Sequence, residues 1–184
     1  MSAKVLVVYA THHGATRGIA ERIAQTLTAS GIEVTTTAAE DARTPTGYDA
    51  FVIGSAVYAF HWVKDASTFV RHHRELLSQS PVWLFSSGPL GTETVNAKGQ
   101  DVREVAEPKE IAEFRASIHP RDHHVFWGAY DPTAKAIGWM ERITRTMPAS
   151  KGILPAGDFR DWDEIDSWAR TIASELTPVA AASA

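Results

Sequence analysis

Continuous apolar runs alternate along the chain with stretches of helical period. Val5 to Tyr9 is apolar throughout, as in a strand buried on both faces. Thr16 to Ser30 follows as a helix, with Ile19, Ala20, Ile23, Ala24 and Leu27 spaced to share one face and Gly31 placed to end it. Glu33 to Thr37 is β-branched and predicts a second strand. Phe51 to Ile53 predicts a third, running out into Gly54-Ser55. Lys64 to Leu77 reads as a helix with Phe69, Val70, Leu76 and Leu77 inward. Beyond Pro81, Val82 to Phe85 predicts a fourth strand that opens into Ser86-Ser87-Gly88-Pro89-Leu90-Gly91. Thr92 to Arg121 is polar and reads as loop, apart from a charged helical stretch near Pro108 to Ser117. His123 to Ala129 predicts a fifth strand and Thr133 to Met147 a helix. Ile153 to Ala156 predicts a short strand piece that Pro155 marks as an edge or bulge. Asp161 to Leu176 predicts the last helix, with Ile165, Trp168, Ala169 and Ile172 on one face.

Strands alternating with helices imply an α/β domain, a doubly wound parallel sheet covered on both faces. Residues 1–176 form one such domain on this reading, and the small-residue stretch 177–184 is a flexible tail. A ligand of such a sheet sits at the carboxyl ends of the strands. The loops after strands one, three, four and five are therefore the candidate site.

Composition narrows the chemistry. None of the 184 residues is cysteine, so there is no disulfide, thiol nucleophile, Cys-ligated zinc or iron–sulfur cluster, and no metal site is expected. Any redox work must use a bound cofactor. A net charge of −4 excludes a strongly basic nucleic-acid binder. The absence of a cationic leader or a long apolar span predicts a cytoplasmic protein. Six Trp, seven Phe and four Tyr leave rings to spare for a flat ligand.

The loop after strand one reads Thr11-His12-His13-Gly14-Ala15-Thr16-Arg17. It lacks the three spaced glycines of a dinucleotide fingerprint and the Gly-Lys-Ser/Thr of a triphosphate loop. Helix-start N–H groups with Thr hydroxyls suit a terminal phosphate. The alternative is that Thr16 simply caps the helix. His12, His13 and Arg17 make the turn basic, unless Arg17 turns outward to Glu21.

Thr11-x-x-Gly14-x-Thr16 resembles the phosphate loop of flavodoxins, with His13 where a hydroxyl residue is usual. The longer stretch through Arg17-x-Ile19-Ala20 is closer to the menaquinone-dependent protoporphyrinogen oxidases, flavodoxin-like enzymes that bind FMN. Gly54 followed by His61, and Trp162 opening the last helix in Asp161-Trp162-Asp163-Glu164-Ile165, are similar to that family. The resemblance implies a flavodoxin-like fold, five parallel strands in the order 2-1-3-4-5, of the long-chain type with strand five interrupted. It implies FMN as cofactor, held by Thr11, His12, His13, Gly14, Ala15 and Thr16 at the phosphate. Ser55, Ala56, Tyr58 and Trp62 would lie along the ring, with Phe60 a further candidate. Ser87, Gly88, Pro89, Leu90 and Gly91 would lie at its pyrimidine edge, where Gly88 frees backbone amides. His61 is the candidate catalytic residue, as a proton carrier or else a structural histidine.

The resemblance also implies a small-molecule substrate or quinone as reactant, and a redox partner protein is a further candidate. A plain electron carrier and a protein for a deazaflavin (coenzyme F420) are the alternatives. A signalling receiver domain is excluded, since acidic side chains are missing at the ends of strands one and three. The predicted helix at 133–147 carries Ile137, Met140, Ile143 and Met147 in a stripe, with Lys135, Arg142 and Arg145 against Glu141. Such a helix packs on its own domain or sits peripherally on the inner face of the cell membrane.

Overall fold

A computed structural model describes residues 2–131, 133 and 155–177. Five parallel strands form the sheet: β1 (Lys4–Ala10), β2 (Glu33–Ala38), β3 (Ala50–Tyr58), β5 (Val82–Ser87) and β6 (Asp122–Phe126). They lie in the order β2-β1-β3-β5-β6. Counting only these five, the order is the expected 2-1-3-4-5.

Burial on both faces explains the continuous apolar runs. Val5, Val7, Val52, Trp83 and Phe85 face one layer, formed by α1 (Ala15–Ala29) and the C-terminal helix Trp162–Leu176. Leu6, Val8, Phe51, Ile53 and Leu84 face the other. That layer holds α2 (Lys64–His72), α3 (Arg74–Ser78) and, beyond the short α4 (Val102–Val105), α5 (Glu110–Ile118). The helix expected over Lys64 to Leu77 is two helices, divided where His73 leaves helical geometry at φ −102°, ψ 19°.

Two differences from the sequence reading bear on the site. First, β3 does not stop at Ile53. It runs through Gly54 and Ser55 to Tyr58, then folds back through Ala59 and Phe60 into β4 (His61–Trp62). Gly54 is therefore a strand residue. An added Cβ would overlap the Phe85 ring, which lies across it from β5. Second, the fifth strand ends at Phe126, short of the expected Ala129. Gly128 turns away to give its N–H to Pro89 O (2.9 Å), and Ala129–Tyr130 becomes β7. β7 pairs antiparallel with β8 (Gly157–Asp158) in a separate ribbon. Residues 153 and 154 of the strand piece expected over Ile153 to Ala156 lie outside the described residues, and the strand that is described begins just past it, at Gly157. The helix expected over 133–147, and with it the membrane-facing stripe, lies outside the described residues apart from Thr133. No helix among the described residues is long and apolar enough to cross a membrane.

Candidate functional site

The loop Thr11 to Thr16 lies at the carboxyl end of β1, between β2 and β3 in the sheet. Thr11 Oγ1 accepts the Gly14 N–H at 3.0 Å and closes the turn. Gly14, at φ 86°, stands immediately before α1 in the left-handed conformation that a side chain disfavours. Helix α1 then begins at Ala15, with no side-chain cap and no acidic residue in its first turn. Thr16 is the second helical residue, so it is not the cap that one reading expected. Its side chain is fully buried, and its Oγ1 is the one buried side-chain polar atom without a hydrogen-bond partner among the described residues. An uncapped helix start presents outward-pointing N–H groups and the positive end of the helix dipole. Beside it is a buried hydroxyl with no partner. This donor set fits an anionic oxygen group such as a phosphate.

Of the two readings for Arg17, the structure shows the outward one. Arg17 turns outward and pairs with Glu21 at 2.7 Å, as the i,i+4 spacing allows. The cation at the loop is Arg160, from beyond β8. Its Nη1 donates to Ala15 O at 3.2 Å while the rest of its guanidinium grips Asp158. Arg160 also lies over the Trp162 ring at 4.5 Å. Gly18 admits it, since an added Cβ there would stand 2.6 Å from Arg160 Nη1. The hydrogen bond from Arg160 holds the Asp158 carboxyl below its ordinary range, although burial opposes this. A cleft of about 660 Å³ separates loop from ribbon, lined by His13, Gly14 and Ala15 on one side and Tyr130, Asp158 and Arg160 on the other.

The rim is formed by the β3–β4 hairpin. Tyr58 is 42% exposed and its ring lies 4.9 Å from that of His12, joining the loops after strands one and three. Ala59 and Phe60 occupy the turn at φ 48° and 64°, and Phe60 is 52% exposed at the tip. Left-handed geometry at two non-glycine residues costs on the order of 1 kcal/mol or more at each. Trp62 is not available to stack on a ligand. It is 4% exposed, packs at 5.3 Å on Phe114, and donates its indole N–H to Ser86 Oγ at 2.8 Å. Ser55 and Ala56 are likewise turned into the fold: Ser55 Oγ donates to Ala56 O and accepts the Val63 N–H. Tyr58 and Phe60 are thus the exposed rings of this loop. His61 contacts Glu110, with Nδ1 2.7 Å from Oε1.

Ser87, the last residue of β5, is buried, while Gly88, Pro89, Leu90 and Gly91 of the loop that follows are half-buried. The Gly88 amide is not free, as expected, but donates to Phe126 O at 3.1 Å. Beneath the loop runs a buried polar chain. Ser86 Oγ, having accepted from Trp62, lies 2.8 Å from His123 Nε2, and His123 Nδ1 lies 3.3 Å from Glu107 Oε1. Arg115 holds Glu107 with two bonds of 2.6 and 2.7 Å. Burial pushes His123 down to about 4, against the pull of Glu107. The imidazole is therefore neutral at pH 7, with Nδ1–H donating to Glu107 and Nε2 accepting from Ser86.

Arg160, Glu110 and the Ser86–His123–Glu107 chain were not expected from sequence. Each partner lies 16 or more positions away, and no local pattern marks such a pair.

The Flavodoxin domain family matches residues 6–151, and the chain belongs to that family. Solved structures share the fold at low identity. An archaeal flavodoxin superposes with a TM-score of 0.58 at 15% identity, over 94% of this chain and 98% of its own. Oxidised flavodoxin 2 from Bacillus cereus gives 0.54 at 17% identity, over 94% and 99%. Rubredoxin oxygen:oxidoreductase from Desulfovibrio gigas gives 0.57 at 14% identity, over 95% of this chain but only 37% of the larger protein.

Proposed function

We propose that this chain is a flavin-dependent oxidoreductase that holds FMN non-covalently at the carboxyl ends of β1, β3 and β5. The observation that carries this reading is the unpartnered Thr16 hydroxyl beside the uncapped start of α1. Thr11, Gly14, Ala15 and Thr16 would hold the phosphate. Tyr58 would offer its face to the ring, and the Ser87 to Gly91 loop would border the ring's polar edge. When bound, FMN supplies the one- and two-electron chemistry that a cysteine-free chain lacks. The protein's own part is to bind and orient the ring and to govern access of water and reactant.

The cleft of about 660 Å³ between this loop and the β7–β8 ribbon, lined by Gly14 and Ala15 as well as Arg160, gives the flavin itself room at its phosphate end. The proposed reaction is oxidation of a small molecule with a quinone as acceptor, as in the protoporphyrinogen oxidases that the Thr11 to Ala20 and Asp161 to Ile165 stretches resemble. Arg160 favours a second reading. A cation bonded to the phosphate loop would suit a deazaflavin with an acidic tail. Absorption of the purified chain, followed by anaerobic reduction, separates the two. FMN shows two visible-range bands and can stop at a one-electron level, whereas a deazaflavin shows a single main band and accepts hydride only. Reoxidation of the reduced chain by a menaquinone analogue supports the quinone reading. Reoxidation by a protein carrier alone contradicts it.

A further inference from the structure

His61 is half exposed, yet its ring is fixed. Nδ1 lies 2.7 Å from Glu110 Oε1, and Glu110 Oε2 accepts the Trp62 backbone N–H at 3.2 Å. One carboxylate thus grips both residues of β4. The neighbouring Lys109 N–H donates to Phe60 O at 3.0 Å and pins the turn of the same hairpin. Glu110 is the first residue of α5 and is largely buried. Burial works to raise its carboxyl, but the hydrogen bonds from His61 and from the N–H groups of Glu110 and Trp62 hold it below the ordinary range. The helix start favours the same charged form.

An ionised carboxylate only accepts hydrogen bonds, so Glu110 keeps a proton on His61 Nδ1. Exchange is left to Nε2, which has no hydrogen-bond partner among the described residues. His61 is the register partner of Tyr58 across the hairpin, so the two side chains share one face. Tyr58 in turn meets His12 of the phosphate loop. The groups facing His61 are therefore Glu110 from α5 and Tyr58 from β3, with His12 beyond. This face is the rim of the proposed flavin site.

We propose that His61 is a catalytic proton carrier at this rim and that Glu110 is its positioning residue, the reactant being an acceptor that takes up a proton when reduced. The proposal rests on the flavin reading. A hydride equivalent comes from the reduced flavin, and one proton comes from His61 Nε2. The acceptor leaves with both, and the flavin is left oxidised. His61 is left neutral, with its remaining proton on Nδ1 against Glu110, and solvent restores the proton on Nε2.

The test uses the full chain and two kinds of readout. Long-range proton–nitrogen spectra of the flavin-free chain report the His61 tautomer. Reoxidation of the FMN-loaded, reduced chain by menadione is followed from about pH 5 to 9. The expected tautomer is Nδ1–H, lost in Glu110→Gln. Reoxidation is expected to slow about tenfold in Glu110→Gln and about a hundredfold in His61→Gln, which also loses the pH dependence. FMN affinity should stay within about threefold in both variants. Unchanged rates and pH profiles in flavin-loaded variants overturn the proposal. So does an Nε2–H tautomer, or one indifferent to Glu110→Gln. A wild-type chain that retains no FMN overturns the flavin reading and with it the catalytic role of His61, whereas failure of the proposal alone leaves FMN bound with the rates or the tautomer unmoved.

Discussion

A hydroxyl buried without a partner is a cost that the ligand-free fold carries, and Thr16 carries it at the start of α1. The cost turns into a prediction with two opposite signs. Thr16→Val keeps the shape and removes the unsatisfied atom, so the flavin-free chain should gain about 1 kcal/mol in urea unfolding. The same variant should bind FMN about tenfold more weakly, measured by quenching of flavin fluorescence. Weakening of both would mean that the hydroxyl has an internal role. A second residue-scale prediction concerns His123, held neutral down to about 4 by burial. The unfolded imidazole titrates near 6.5, so protonation favours the unfolded chain. Stability from this site is full above about pH 6.5 and falls as the pH drops towards 4. His123→Gln should flatten that limb of a stability-against-pH curve. At this scale only part of the candidate site is legible in the sequence. Thr11, Gly14 and Thr16 are legible because a turn is local chemistry. Glu110 is not, because its tie to His61 spans 49 positions.

At the scale of elements, two contacts fix the layers that carry the loops. Asp166 of the C-terminal helix receives Arg22 at 2.7 and 2.6 Å and Thr26 at 2.8 Å, both from α1. Its pKa falls to about 2, chiefly through the Arg22 hydrogen bond. A depressed carboxyl stabilises the fold above its unfolded value near 3.9, and that contribution is lost as the pH falls through about 2. Asp166→Asn should therefore remove the part of acid unfolding that lies between about pH 4 and 2, read by circular dichroism. The second contact is Phe85 across Gly54. Gly54→Ala should destabilise by about 1–3 kcal/mol through overpacking, seen as a lower melting temperature. The sequence marks Gly54 but not its reason. It reads as the exit to a loop, because the apolar run ends at Ile53 and a close ring on the next strand leaves no trace in the local pattern. The β3–β4 hairpin escaped for a similar reason. Its turn is Ala59-Phe60, without the glycine or asparagine that usually signals two left-handed residues. The strands themselves were legible, since double-sided burial demands an uninterrupted apolar run.

Across the whole molecule, the order β2-β1-β3-β5-β6 brings three separate loops to one end of one sheet, and membership in the Flavodoxin domain family agrees with that placement. A mild net charge of −4 coexists with a helix start free of acidic residues and with Arg160 bonded to the first residue of α1. Local electrostatics, not the overall balance, define what this end of the sheet can hold. The central claim is that the turn from Thr11 to Thr16 grips the phosphate of a flavin. Titrating the flavin-free chain with FMN and with riboflavin, which lacks only that phosphate, tests it most directly. The expected Kd for FMN is at least about a hundredfold lower than for riboflavin, in keeping with two or more charge-assisted hydrogen bonds. Equal affinity for the two, or no binding of either, would contradict it.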